Sequence, residues 1–186
     1  MDYLLTSLET ERILFRNIDL GHYKEWIAFF KDPITSQHWT PAVGDPQKAC
    51  TEWYQNQFYR HRNNLGGMNA LIEKRSGRLM GHCGLLVQTV DGMVELEVAY
   101  SLLPDFWNMG LATEAAQACR DHAFANGISD SLISIISLSN APSEKVALKN
   151  GMKSDRRTVY KNNEVNIFRI FRYDWERLQG EGPKEI

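Results

Sequence analysis

The sequence predicts one α/β domain on a mixed, mostly antiparallel sheet of about seven strands, with a βαβ unit at its centre. Three stretches predict it. Residues 94–100 alternate, with Val94, Leu96, Val98 and Tyr100 on one face and Glu95, Glu97 and Ala99 on the other. That is the period of a strand with a single apolar face. From Leu111 the period turns helical: Leu111, Ala115, Cys119 and His122 or Ala123 share a stripe that Asn126-Gly127 stops. Residues 132–138 are then almost continuously apolar, as in a strand buried on both faces. Strand, helix and strand in this order make a right-handed crossover between parallel neighbours. Pro104 has no amide to offer a ladder and ends the first strand.

The other elements follow in order. Residues 11–18 set Ile13 and Phe15 against Leu14 and Arg16, which reads as a first strand. Asp19 can cap a helix over residues 20–31, whose Tyr23, Trp26, Ile27 and Phe30 form an apolar stripe, and Asp32-Pro33 stops it. Residues 34–46 hold two prolines and a glycine and read as a loop carrying His38 and Trp39. Pro46 suits the first turn of a helix over residues 47–63, with Ala49, Trp53, Gln57 or Phe58, and Arg60 or His61 along one side. Strands at 68–74 and 79–90 are joined through Arg75-Ser76-Gly77, and Asp91-Gly92 turns into the strand at 93–102. Residues 139–143 open a short helix over 143–149 that Asn150-Gly151 ends. Strands at 152–160 and 164–173 close the chain as a hairpin through Asn162-Asn163. Residues 1–178 form the domain, and 179–186 read as a polar tail.

Composition narrows the function classes. A chain of 186 residues can bury roughly 70% of its unfolded surface in one core. Its 43% hydrophobic content and mixed charge fit a folded domain rather than a disordered one. A net charge of −2 supplies no basic face for a nucleic acid. No apolar run approaches the ~20 residues of a membrane span, and the first residues lack the basic-then-apolar order of a secretion signal. Cys50, Cys83 and Cys119 are odd in number and never in CxxC spacing, which argues against a disulfide framework or zinc site and for a reducing cytoplasm. His82 and Cys83 are adjacent on a strand, so they face opposite ways and cannot chelate together. No metal is expected. Cys119, Trp26, Trp53 and Phe58 read as core.

The turn Trp107-Asn108-Met109-Gly110 is where chemistry is expected. A strand that stops, a glycine, and a helix with unpaired first amides make an anion site, since the helix start carries roughly half a positive charge. Taken alone, the same turn is equally an ordinary strand-to-helix connection. It is neither a Walker loop nor a GxGxxG fingerprint.

The surroundings decide. The order β-α-α-β-β-β-α-β-α-β-β around AYSLLPDFWNMGLATEA resembles the GNAT acetyltransferase superfamily, and within it the branch of ribosomal-protein N-terminal (Rim-type) acetyltransferases. The resemblance runs over residues 8–178. ETERILFRNIDLGHYKEWIAFFKDP is similar to the family's opening strand and helix, and GHCGL to its third strand. LSNAPSEKVALKNGM resembles its NxxSxxxxxKxGF segment, with Asn140, Ser143, Lys149 and Gly151 in register. The loop departs from the common [QR]-G-x-G-x-[GA] arrangement. Asn108 stands for a glycine, and Met109 where a basic residue is frequent; Asn is the residue after glycine that best tolerates a left-handed backbone.

The resemblance implies a GNAT-type acyl-CoA acyltransferase fold with acetyl-CoA as cosubstrate. It places the pyrophosphate on the backbone amides of Asn108, Met109, Gly110, Leu111 and Ala112, with the Thr113 hydroxyl beside them. Ser101, Leu102 and Leu103 would pair with the pantetheine arm as an added strand. Glu97, in the ExGY-like Glu97-Val98-Ala99-Tyr100, would hold or deprotonate the acceptor amine, with Glu95 a weaker candidate; a solvated strand face or a cross-strand salt bridge explains either residue equally well. Asn140 would contact pantetheine and Ser143 would meet the departing thiolate, although both also suit simple helix capping. His38 and Trp39 would line the acceptor site. No tyrosine follows Gly151 closely, where some relatives supply an acid. Backbone amides near residues 99–101 would steady the oxyanion. The implied reaction is direct attack of a primary amine, a protein N-terminus or a small molecule, without a covalent acyl-enzyme. An α-amino group needs only about 1 kcal/mol to deprotonate at pH 7, against about 4.6 for a lysine. The loop's departures leave one alternative, a non-catalytic CoA-binding or protein-interaction module on the same fold.

Overall fold

Asp19, Asp32, Asp45 and Asn140 each turn a side-chain oxygen onto a backbone amide two or three residues ahead, at 2.6–3.1 Å, and a helical segment follows each one. These caps punctuate the computed structural model, which describes residues 3–38 and 44–180. The elements are β1 (Ile13–Arg16), α1 (Tyr23–Lys31), α2 (Pro33–Ser36), α3 (Pro46–Arg62), β2 (Gly66–Glu73), β3 (Leu79–Val90) and β4 (Met93–Leu102). After them come α4 (Leu111–Ala125), β5 (Ser131–Ser137), α5 (Ala141–Lys149), β6 (Lys153–Tyr160), β7 (Asn163–Phe171) and α6 (Arg172–Gly180). The seven strands form one sheet in the order β1-β2-β3-β4-β5-β7-β6, antiparallel except where β4 meets β5.

Two neighbours on β3 define the layers. His82 packs against the rings of Trp26 on α1 and Trp53 on α3, at centroid distances of 4.3 and 4.6 Å. Cys83 faces the other way, with its Sγ 3.5 Å from that of Cys119 on α4. Helices α1 and α3 therefore cover one face of the sheet. The opposite face carries α4, with α5 and α6 against it: Arg120 donates to the Asn150 carbonyl, and the Trp175 indole donates to Asp121. His82 is buried with neither ring nitrogen partnered among the described residues, and burial holds its pKa well below that of a free histidine. It is a neutral packing residue.

The structure departs from the sequence expectations in five places. A one-turn helix, α2, forms inside the expected loop because Asp32 caps it and Pro33 occupies its first turn. The buried stripe of α3 is Cys50, Tyr54, Gln57 and Arg60; Gln57 and Arg60 fall as expected, whereas Cys50 and Tyr54 replace Ala49 and Trp53, one position away. The last hairpin turns at Lys161 and Asn162, both at positive φ, while Asn163 pairs with Tyr160. Helix α6 is not announced by any periodicity and extends through Gly180. Finally, the acidic face of β4 is not solvated: Glu95 and Glu97 are only 7% and 8% exposed.

Glu95 is buried because Arg169 on β7 forks onto both its oxygens, at 2.5 and 2.9 Å. The same guanidinium reaches Asp155 and the Ser131 hydroxyl, so one cation ties β4, β5, β6 and β7 together. Removing one member of a buried pair strands the other's charge. Arg169→Met is therefore expected to destabilise the fold by about 3–5 kcal/mol, measured by urea unfolding. The double variant with Glu95→Gln should recover most of that loss.

Candidate active site

β4 and β5 touch at a single register pair, Glu97 with Ile133. Two side-chain bonds reinforce it, from the Ser134 hydroxyl to the Val98 carbonyl at 2.8 Å and from the Ile135 amide to the Glu97 carboxyl. Beyond it the strands part. The wedge is a cavity of about 540 Å³ lined from β3, β4, β5, α5 and the β6–β7 turn, among them Gln88, Glu97, Tyr100, Asn140, Ser143 and Lys161.

The parity of β4 decides which backbone groups face this wedge. Leu103 gives its amide to the Met80 carbonyl on the β3 side, whereas the Val98 and Leu102 carbonyls accept from Ser134 and from the Trp107 indole on the other side. Backbone groups alternate along a strand. Tyr100 and Leu102 thus present theirs to the wedge, and those of Ser101 and Leu103 are turned to β3. Trp107 folds back onto the strand end and fixes where the turn begins.

In the turn, Asn108 and Gly110 both adopt left-handed backbone, at φ 59° and 77°. Gly110 is the N-cap of α4, and no side chain caps the helix, so the amides of its first turn stay directed at whatever lies ahead of them. A brace from the residues just ahead of β1 holds the turn. Arg12 donates to the Met109 carbonyl at 2.8 Å and to Glu114 at 2.6 Å, and Glu114 also accepts from the Arg12 amide and the Thr10 hydroxyl. Burial opposes ionisation of Glu114, but the bonds from Thr10 and Arg12 prevail and hold its carboxyl below the usual range. Leu111 is core, Met109 is half exposed, and Ala112 and Thr113 lie in the first turn of α4.

Glu97 stands at the apex, on the α1–α3 face. Gln88 donates to one of its oxygens at 2.7 Å and accepts from the Tyr160 hydroxyl at 2.8 Å. Burial pushes the Glu97 carboxyl above the usual range, partly offset by the Gln88 bond, the charge of Arg60, the Ile135 amide and the charge of Lys161. Burial and the nearby Glu97 charge push the Tyr160 phenol up to about 12. On the opposite face, the Tyr100 hydroxyl donates to the Ser143 carbonyl at 2.8 Å. Asn140 caps α5 by accepting from the Ser143 amide at 3.1 Å, so the capping reading of this segment holds. At the mouth, His38 Nδ1 lies 2.8 Å from Ser139 Oγ, and Asn163 donates to the His38 carbonyl. Trp39 falls outside the described residues. The wedge thus unites Glu97, Tyr100, Asn140, Ser143 and His38, while Glu95 is committed to Arg169.

Residues 12–153 match the family model described as Acetyltransferase (GNAT) domain. The chain belongs to the GNAT acetyltransferase family. It is 28% identical over 165 residues to the uncharacterized protein YkkB of Bacillus subtilis, covering 88% of this chain and 94% of the relative. Its fold is similar to the acetyltransferase from Agrobacterium tumefaciens, with a TM-score of 0.76 at 21% identity over 91% of this chain and 96% of that one. The spermidine N-acetyltransferase of Vibrio cholerae, in complex with CoA and spermine, gives a TM-score of 0.71 at 11% identity, covering 90% and 99% of the two chains. RimL, a ribosomal L7/L12 alpha-N-protein acetyltransferase in complex with CoA, gives 0.70 at 14% identity, covering 89% and 97%. A polyamine enzyme and a protein enzyme fit equally well, so the likeness in fold does not choose a branch.

Sequence reasoning misses Arg12, Gln88, Tyr160 and Lys161. Arg12, Gln88 and Tyr160 lie in or beside strands whose alternation is visible and Lys161 in the turn that follows one, yet nothing local says that their side chains converge. Among the described residues no group of three or more His, Cys, Asp or Glu is placed to hold a metal ion. With the Arg12 brace removed, the turn should lose its shape: if it is the acetyl-CoA site proposed below, Arg12→Met is expected to weaken acetyl-CoA binding roughly tenfold in calorimetric titration. Asn108→Gly relieves up to about 1 kcal/mol of left-handed strain, so it should leave that affinity intact and raise the melting temperature.

Proposed function

We propose that this protein is an N-acetyltransferase that moves the acetyl group of acetyl-CoA to a primary amine by direct attack. The observation that carries the reading is Glu97: a carboxylate buried at the apex of the β4–β5 wedge, where a thioester lying between the strands would end.

The roles follow from the geometry. The pyrophosphate rests on the amides of Asn108, Met109, Gly110, Leu111 and Ala112, with the Thr113 hydroxyl beside them, in the shape that Arg12 imposes. Pantetheine lies along β4 as an added strand. The backbone of Leu102 and Tyr100, rather than that of Ser101 and Leu103, is turned to receive it. Asn140 spends its carbonyl oxygen on the α5 cap and keeps its amide nitrogen for the pantetheine arm.

The amine enters from the α1–α3 face, where Glu97 holds it and takes its proton. Its nitrogen bonds to the acetyl carbon, and the Tyr100 amide meets the oxyanion that forms. The C–S bond then breaks and the electrons leave on sulfur. The Tyr100 hydroxyl is engaged in donating a hydrogen bond to the Ser143 carbonyl, so the Ser143 hydroxyl is the donor left for the thiolate. A Rim-like role on a protein N-terminus and a role on a small amine both suit this chemistry, and three buried free thiols fit a reducing cytoplasm.

Glu97→Gln is expected to cut kcat/KM by about 10²-fold or more while acetyl-CoA still binds, measured by thiol release and calorimetry. Only the ionised carboxylate accepts a proton, so activity should rise with pH along a limb displaced above the ordinary carboxylate range, in line with the raised pKa of Glu97. The variant should lose that limb. Full activity of Glu97→Gln on every accepted amine would overturn the assignment. Acetyl-CoA binding without thiol release on any amine would favour the non-catalytic module.

A further inference from the structure

The acceptor end of the wedge is charged in an uneven way. Glu97 is the one carboxylate among the described residues that line it, and Gln88 already occupies one of its oxygens. Glu95, which could have added a second negative charge, is consumed by Arg169. Lys161 lines the same cavity, carried on the tight β6–β7 turn at positive φ. Its ammonium lies 5.1 Å from the centroid of the Tyr160 ring and forms no salt bridge among the described residues. Asn163, two residues on, is anchored to the His38 carbonyl, so the wall around the lysine is held in place; the lysine itself is exposed, and its charge favours ionised Glu97 from a distance without an ion pair.

This arrangement discriminates among amines. An acceptor with a second ammonium would bring it towards Lys161, where like charges repel, and would find no further carboxylate to receive it. An acceptor with a carboxylate would complete a charge pair at each end, amine on Glu97 and carboxylate on Lys161. Building on the acetyl-transfer reading above, we propose that the acceptor is a primary amine that also bears a carboxylate, with Lys161 as the residue that selects it.

The test uses matched trios of equal chain length: ω-amino carboxylates, their neutral amides, and the corresponding diamines. A peptide beginning Ser-Asp, with its carboxyl end amidated, is compared with free amino acids to separate the two sources of the same chemistry. At the best chain length the carboxylate should exceed the amide in kcat/KM by roughly tenfold, with the diamine lowest. In Lys161→Gln the ratio of carboxylate to amide should fall towards one, and in Lys161→Glu the diamine should overtake. Equal use of all three classes, a preference for diamines in the parent protein, or a ratio that Lys161→Gln does not move would overturn the proposal. If no amine is acetylated, the transfer reading is what fails. Calorimetric binding of 4-aminobutyrate then decides the inference: binding that Lys161→Gln abolishes supports it, and no binding refutes it.

Discussion

The site depends on how little β4 and β5 hold each other. A parallel pair in the middle of a sheet would ordinarily close its ladder along its length, yet here one register pair, the Ser134 hydroxyl and the Ile135 amide on the Glu97 carboxyl join the two strands. Both strands are drawn off beyond that point. The end of β4 is bound back by the Trp107 indole and the Leu103 amide, and the end of β5 runs into the Asn140 cap. The wedge leaves backbone groups of Tyr100 and Leu102 without a strand to pair with, in a fold whose other strands are paired. Unpaired backbone is costly when dry, so the gap is a standing demand for an extended, hydrogen-bonding partner.

The sheet also sorts the two halves of the proposed reaction onto opposite faces. Tyr100 and Ser143 belong to the α4–α5 side, whereas Glu97, Gln88 and Tyr160 belong to the α1–α3 side. A sheet is an effective partition because its own hydrogen bonds leave no passage through it. The wedge is the exception, and it is where a thioester on one side and an amine on the other could meet. The layering that puts His82 among tryptophans and Cys83 against Cys119 is the same alternation that separates these groups.

Much of this was legible in the sequence because it is local. The bounds of β3 and β4 follow from alternation and from Asp91-Gly92, both of whose residues take positive φ. The left-handed Asn108 follows from the glycine it replaces. What was not legible depends on distant partners. Alternation puts Glu95 and Glu97 on one face as equals, and what separates them is Arg169, 74 residues away from Glu95. Gln88 and Tyr160 look like ordinary strand residues until β3 and β6 bring them within reach of each other. The parity of the wedge is hidden for a subtler reason: a strand's side chains announce their faces, but its amides and carbonyls, which are identical at every residue, do not. The stretch around Ser101 could be read; which of its residues turn their backbone outwards could not.

Glu97 also sets function against robustness. A carboxyl kept from water in a sheet, with one oxygen held by Gln88 and its ionisation opposed by its surroundings, is a liability for folding. An apolar side chain of similar size would pack there with less strain on the electrostatics. Selection for heat resistance alone would therefore tend to erase this residue early, and variants gained that way would trade the working group for a firmer core. Under the proposed reaction, the cost of burying an acidic side chain at that position is the counterpart of the proton it is asked to accept.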